Sequence, residues 1–228
     1  AALSAPLLPA GAMEFGALLA LMEARETKKR LEGVDALQAH VYSASLSRDE
    51  AAQLVDAIQP LLKDNNFKVC QGALKGLALA LRVSPAEFKS HAAVLIAGVV
   101  ERLGDGKAPV RESGREVLSA FAEHVMPPAA ALEKAALAWT HKNWRVREEM
   151  LAASTAALKR HGHAATQAMR EPLKQTLRLL NADSIASVRE AALDFLEELY
   201  TQVGDRLREQ LQASGLRPAH VKDINARF

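Results

Sequence analysis

Cysteine is almost missing from these 228 residues, with Cys70 standing alone. That excludes an internal disulfide and any zinc cage built on cysteines, and it fits a reducing compartment. Aromatic residues contribute only 4%, and Ala and Leu dominate the apolar half, so the chain offers little of what strands favour. No apolar run reaches the roughly 20 residues of a membrane span. Leu3 to Met22 comes nearest, but Pro6, Pro9, Gly11 and Glu14 interrupt it and no basic region leads into it, unlike a signal peptide. Nor is there an excess of one charge. With 29 basic against 27 acidic residues the formal net charge is +2, so the whole molecule does not carry the footprint of a nucleic-acid binder.

The usual marks of catalysis are lacking as well. Gly104 and Gly106 are not followed by the Gly-Lys-Ser/Thr of a phosphate loop. His161 and His163 share a break between helices, yet no carboxylate or cysteine beside them completes a metal site. Cys70 falls in the first turn of a helix with no histidine nearby in sequence, and other copies of its repeat position hold arginine, so its role reads as structural. The chain is expected to be no enzyme and to need no cofactor or metal.

What the sequence does have is a repeat. Asn66-Phe67-Lys68-Val69-Cys70, Ala108-Pro109-Val110-Arg111, Asn143-Trp144-Arg145-Val146-Arg147 and Ala186-Ser187-Val188-Arg189 each run from a turn through a Val into an Ala/Leu-rich helix, and Thr27-Lys28-Lys29-Arg30 is a weaker fifth copy. Aligning Arg30, Cys70, Arg111, Arg147 and Arg189 gives separations of 40, 41, 36 and 42 residues, the period of two antiparallel helices with their connections. The expectation is an all-α solenoid, one domain over residues 13–228, with residues 1–12 a disordered or vector-derived extension.

The helices follow from apolar residues at three- and four-residue steps, such as Leu31, Val34, Leu37 and Val41. Ser47 with Glu50 spells a capping box. Ser84-Pro85 with Glu87 reads as the cap, first and third positions of a helix running to about Leu103. Further helices are expected at 108–124, 129–141, 143–161, 164–180 and 185–203. A more polar final pair, 205–213 and 218–228, suits a terminal repeat with one face in water. Trp139 reads as core, and Gly72 and Gly76 as a close helix crossing.

In such an array the long faces bury against neighbouring repeats, while the turns inside each pair line one edge. Those turns are residues 25–28, 64–68, 105–109, 141–145 and 183–187. Most place a cation beside an apolar group, and Phe67 and Trp144 share one repeat position, three before the aligned Cys70 and Arg147. Cations on a rigid ridge suit an acidic protein surface, and an aromatic among them supplies an anchor. The candidate site is therefore Arg25, Thr27, Lys28, Phe67, Lys68, Lys107, Lys142, Trp144, Arg145 and Arg189. A duller account also stands: Arg111, Arg147 and Arg189 pair with turn aspartates such as Asp105 and Asp183 in an internal ladder, and the two rings plug their helix starts.

The segments Glu26-Thr27-Lys28-Lys29-Arg30, Leu62 to Val69, Glu101 to Lys107, His141 to Glu148 and Val221 to Arg227 resemble a TOG domain, a paddle of about six HEAT repeats. They look most like the first TOG domain of the plant and algal CLASP microtubule-associated proteins. The resemblance covers nearly the whole chain. It implies a module that engages αβ-tubulin or the microtubule lattice through its turns, cytoplasmic and cytoskeletal, monomeric, without nucleic acid or membrane, within a larger microtubule-stabilising protein. One departure is Thr27, where the family's tubulin binders commonly carry a first-turn tryptophan. The alternative is a generic HEAT scaffold that binds other proteins through its helical faces.

Overall fold

The structure, a computed structural model, describes residues 13–212 and 214–228, so the expected extension over residues 1–12 lies outside the described residues. All regular structure among the described residues is helical. Contacts group the chain into two compact units: residues up to Val99 with Lys107–Val125, and Val100–Gly106 with Met126–Phe228.

The first unit holds α1 (Phe15–Met22), α2 (Thr27–Ser43), α3 (Arg48–Leu61), α4 (Phe67–Val83), the single turn α5 (Pro85–Phe88), most of α6 (Ala92–Arg102) and α7 (Ala108–Ala120). The second helices of successive pairs, α2, α4 and α7, pack side by side. Small residues bring two of them close. A Cβ on Gly72 would lie 2.4 Å from Val34 Cγ2, and one on Gly76 would lie 2.5 Å from Leu37 Cδ2, so α2 presses its branched side chains onto bare backbone of α4. Leu37, Leu54, Ile58, Leu74, Leu77, Phe88 and Phe121 are wholly buried, each worth about 1.5–3 kcal/mol in apolar area withdrawn from water. Cys70 is 1% exposed.

Capping follows sequence in one place and departs from it in another. Ser47 forms the expected box: its Oγ accepts from the Glu50 N–H, and Glu50 Oε2 accepts from the Ser47 N–H at 2.8 Å. Ser84 does not cap. Its hydroxyl accepts from the Leu46 N–H at 2.8 Å, satisfying a buried donor of the preceding connection that would otherwise be costly to leave unpaired. The helix it begins is also not continuous to Leu103, because residues 89–91 wind as a 3-10 turn between α5 and α6.

The second unit contains the last turn of α6, α8 (Pro128–Lys134), α9 (Trp144–His161), α10 (His163–Thr166), α11 (Arg170–Ala182), α12 (Ala186–Val203), α13 (Asp205–Gln212) and α14 (Pro218–Arg227). α9 and α12 pack together as α2 and α4 do, and α11 lies against α12. The helices expected at 129–141 and 164–180 are each broken, by 3-10 turns at 136–140 and 167–169. The first helices of the last three full pairs are thus the ones that 3-10 turns interrupt. Periodicity of apolar residues survives a 3-10 turn, since three- and four-residue steps both bury the same side, so sequence alone does not reveal the break. Trp139 is 2% exposed, in the core as expected. Gly162 ends α9 at φ +53°, a conformation that L side chains rarely adopt.

α14 is fastened to α12 by charge and by ring stacking. Arg227 reaches Asp194 at 2.7 Å, Glu197 at 3.3 Å and also Glu190. Phe228 stacks on Tyr200 with centroids 4.0 Å apart, and the Arg208 guanidinium lies 4.9 Å from the Tyr200 ring.

Candidate functional site

The second, fourth and fifth of the turns that join the two helices of a pair share a few hydrogen bonds. Asp64 Oδ1 accepts from the Asn66 N–H at 2.8 Å, and Asp183 Oδ1 accepts from the Ile185 N–H at 3.0 Å. In the fourth turn His141 takes this place, its Nδ1 accepting from the Asn143 N–H at 3.1 Å. Asn66 and Asn143 then cap α4 and α9, accepting from the N–H groups of Lys68 and Arg145. Such local bonds from Asp and Asn fix a turn that helix geometry alone would leave with orphan donors.

The aligned arginines lock the turns from beneath. Arg30 Nη1 donates to the Ala24 and Arg25 carbonyls, Arg147 Nη1 to those of His141 and Lys142, and Arg189 Nη1 to that of Asp183. Arg30 Nε and Nη2 also donate to the Asp64 carboxylate, at 2.6 and 3.3 Å, joining the first turn to the second. Arg147 does the same with Asp183, at 2.6 and 3.0 Å, joining the fourth to the fifth. The ladder reading is therefore correct for Arg147, and it extends to Arg30. Cys70 holds the arginine place in the second turn, and its thiol donates to the Leu62 carbonyl instead.

Asp183 shows the balance of forces in a rung. Burial opposes its ionisation, but the hydrogen bonds from Arg147 and from the Ile185 N–H, with the charges of Arg147 and Arg189, hold its carboxyl below the ordinary 3.8.

Gly104 seats the fourth turn. Asn143 Nδ2 donates to the Gly104 carbonyl at 2.9 Å, and a Cβ on Gly104 would lie 2.5 Å from that nitrogen. His141 Nε2 is 3.4 Å from Glu101, and Arg178 Nη2 donates to the Trp139 carbonyl at 2.9 Å. The Asn caps, Gly104 and the Asp64 rung escaped sequence reasoning. The Asp or His six residues before Cys70, Arg111, Arg147 and Arg189, and the Asn four before Cys70 and Arg147, were the available signal.

With the turns so fixed, the candidate residues sort by what their side chains do. Arg25, Lys28, Lys68, Lys107 and Lys142 are exposed. Phe67 is 36% exposed, with Lys107 Nζ 5.6 Å from its ring centroid. Trp144 is half-buried, and the Arg145 guanidinium sits 4.5 Å from its ring. At this shared repeat position each unit thus presents an aromatic with a cation beside its ring. Thr27 is turned toward the ladder, its Oγ1 accepting from Arg30 Nη2 at 3.3 Å, and Arg189 is half-buried with its Nη1 engaged. A pocket of about 270 Å³ between the fourth and fifth turns is bordered by His141, Lys142, Arg147 and Arg178. Among the described residues no group of His, Cys, Asp and Glu is arranged to hold a metal, and no helix is long and apolar enough to cross a membrane.

Comparison with known proteins supplies the family. The model for the TOG domain of XMAP215/Dis1/CLASP matches residues 20–228. The chain belongs to this TOG-domain family. A CLIP-associated protein of Arabidopsis thaliana is 42% identical over 213 residues, 92% of this chain and 15% of that relative. A CLIP-associating protein of Drosophila melanogaster is 36% identical over 163 residues, 70% of this chain and 11% of the relative. The chain therefore spans a small part of these relatives' length. Among solved structures, the MAST/Orbit N-terminal domain superposes with a TM-score of 0.84 at 28% identity, covering 92% of this chain and 94% of that one. The all-α helix-pair solenoid expected from the repeat is thus the observed fold.

Proposed function

We propose that this TOG domain binds tubulin, as αβ-dimer or as microtubule lattice, through the turns inside its helix pairs. It would serve as one cytoplasmic, cytoskeletal module of a longer microtubule-regulating chain. The observation that carries the reading is the division of labour among cations. Arg30 and Arg147 are consumed by Asp64 and Asp183 inside the molecule. Arg25, Lys28, Lys68 and Lys142 project from the same turns with no ion pair to any described residue. The first group stiffens the tips and the second is left for an anionic partner. Phe67 and Trp144 add ring surface beside those cations, of the kind that dominates interface energetics.

The domain is proposed to act by tethering alone, with no chemistry, as a monomer, and without nucleic acid or membrane. The test is co-sedimentation of K68E/K107E/K142E/R145E with polymerised tubulin at low salt, alongside gel filtration with the dimer. The expected result is loss of binding with an unchanged circular dichroism melt. Pelleting equal to that of the parent would overturn the reading.

A further inference from the structure

Away from the turns, α11 carries a groove of mixed character. Arg170, Lys174 and Arg178 follow at four-residue steps and are exposed, while Leu173 and Leu177 run just ahead of the second and third and are half-buried. Gln210 and Ser214 form the opposite wall, and the space between is about 370 Å³. The cations are lightly committed. Lys174 lies 4.0 Å from Glu171, Arg178 gives one N–H to the Trp139 carbonyl, and Arg170 has no hydrogen bond or ion pair among the described residues.

We propose that this groove docks an acidic amphipathic helix of a partner protein, apolar side chains against Leu173 and Leu177 and carboxylates along Arg170, Lys174 and Arg178. The three cations span about 12 Å, two helical turns at 1.5 Å per residue. That matches Glu or Asp recurring every fourth residue on an incoming helix, the spacing by which helix-in-groove partners anchor. Charge complementarity fixes the sign of the partner, and the leucine floor fixes its amphipathic character. A polyanion recognised only through phosphates would make no use of that floor. Arg178 also borders the pocket between the fourth and fifth turns, but Arg170, Leu173 and Lys174 do not, so substitutions at those three test this docking apart from tubulin binding.

The test uses a fluorescent helical peptide with Glu at every fourth position and Leu one residue ahead of each, a scramble of the same composition, and vesicles of phosphatidylserine with phosphatidylcholine. Fluorescence anisotropy should show the patterned peptide binding the TOG domain and the scramble failing. R170E/K174E and Leu173→Ser should each weaken the patterned peptide about tenfold or more, with microtubule pelleting unchanged. Equal binding of peptide and scramble, undiminished binding by R170E/K174E, or binding of the vesicles in preference to the peptide would overturn the proposal. Should R170E/K174E lose its cooperative melt, R170Q/K174Q takes its place: weaker peptide binding supports the groove and unchanged binding overturns it.

Discussion

Across 36 residues of sequence, the guanidinium of Arg147 forks onto both carboxylate oxygens of Asp183, at 2.6 and 3.0 Å, while its remaining arm holds the His141 carbonyl at 2.7 Å. One side chain thus sets its own turn and ties it to the next. The Asp183 side chain is 3% exposed and that of Arg147 15%, so the pair is only lightly screened by water.

Asp183→Asn leaves the guanidinium without its countercharge and should cost about 1–3 kcal/mol. Thermal unfolding should shift down by about 2–4 °C per kcal/mol for a chain of this size. A melt within a degree of the parent's would mean that the rung is ornamental.

The same pair gives stability a pH dependence of fixed sign. Because the Asp183 carboxyl sits below its ordinary value in the folded protein, the unfolded chain takes up the proton first as pH falls. The rung's contribution is complete above the unfolded value of about 3.9 and fades as pH drops through the folded one. Urea midpoints of parent and D183N should therefore differ at neutral pH and converge below about pH 4.

Gly72→Val or Gly76→Leu should be the most damaging small changes in the first unit. Each drives a side chain into Val34 or Leu37, where even a Cβ already comes within 2.5 Å. Overpacking of this kind costs about 1–3 kcal/mol and can exceed it. Hydrogen exchange should show lost protection in α2 and α4 together.

The Cys70 thiol, 1% exposed and donating to the Leu62 carbonyl, should resist alkylation until the first unit unfolds. Iodoacetamide labelling followed by mass spectrometry across a urea series should track unfolding measured by circular dichroism. Fast labelling in native buffer would show that α4 opens locally.

Trp144→Ala and Phe67→Ala should separate binding from folding. Each ring lies at the first position of its helix, beside one cation, and is partly exposed. Removal should weaken tubulin pelleting by about 2 kcal/mol if the ring is an anchor. A collapse of the melting curve without loss of pelleting would assign the rings to packing instead.

The helix pairs and their order were legible from five copies of a short segment, because a solenoid writes its period directly into the chain. Trp139, Gly72, Gly76 and the Ser47 cap were legible for the same reason: each is a local rule with one outcome. Ser84 was not, since the N–H it satisfies belongs to Leu46, 38 residues earlier. The 3-10 breaks at 89–91, 136–140 and 167–169 were hidden because apolar spacing tolerates them. Of the candidate site, the lysines are exposed, whereas Thr27 and Arg189 turn inward, each onto a group of its own turn, Arg30 and the Asp183 carbonyl, a direction that side-chain type alone does not reveal.

Shared arginines also constrain how such an array can change over evolutionary time. A repeat that contributes a guanidinium to its successor is not freely exchangeable. Duplicated, deleted or transplanted, it needs a carboxylate waiting at the correct offset in whatever follows. The second turn, with a thiol where its counterparts hold arginine, offers its successor no guanidinium, and the fourth, with an imidazole where its neighbours hold aspartate, offers its predecessor no carboxylate.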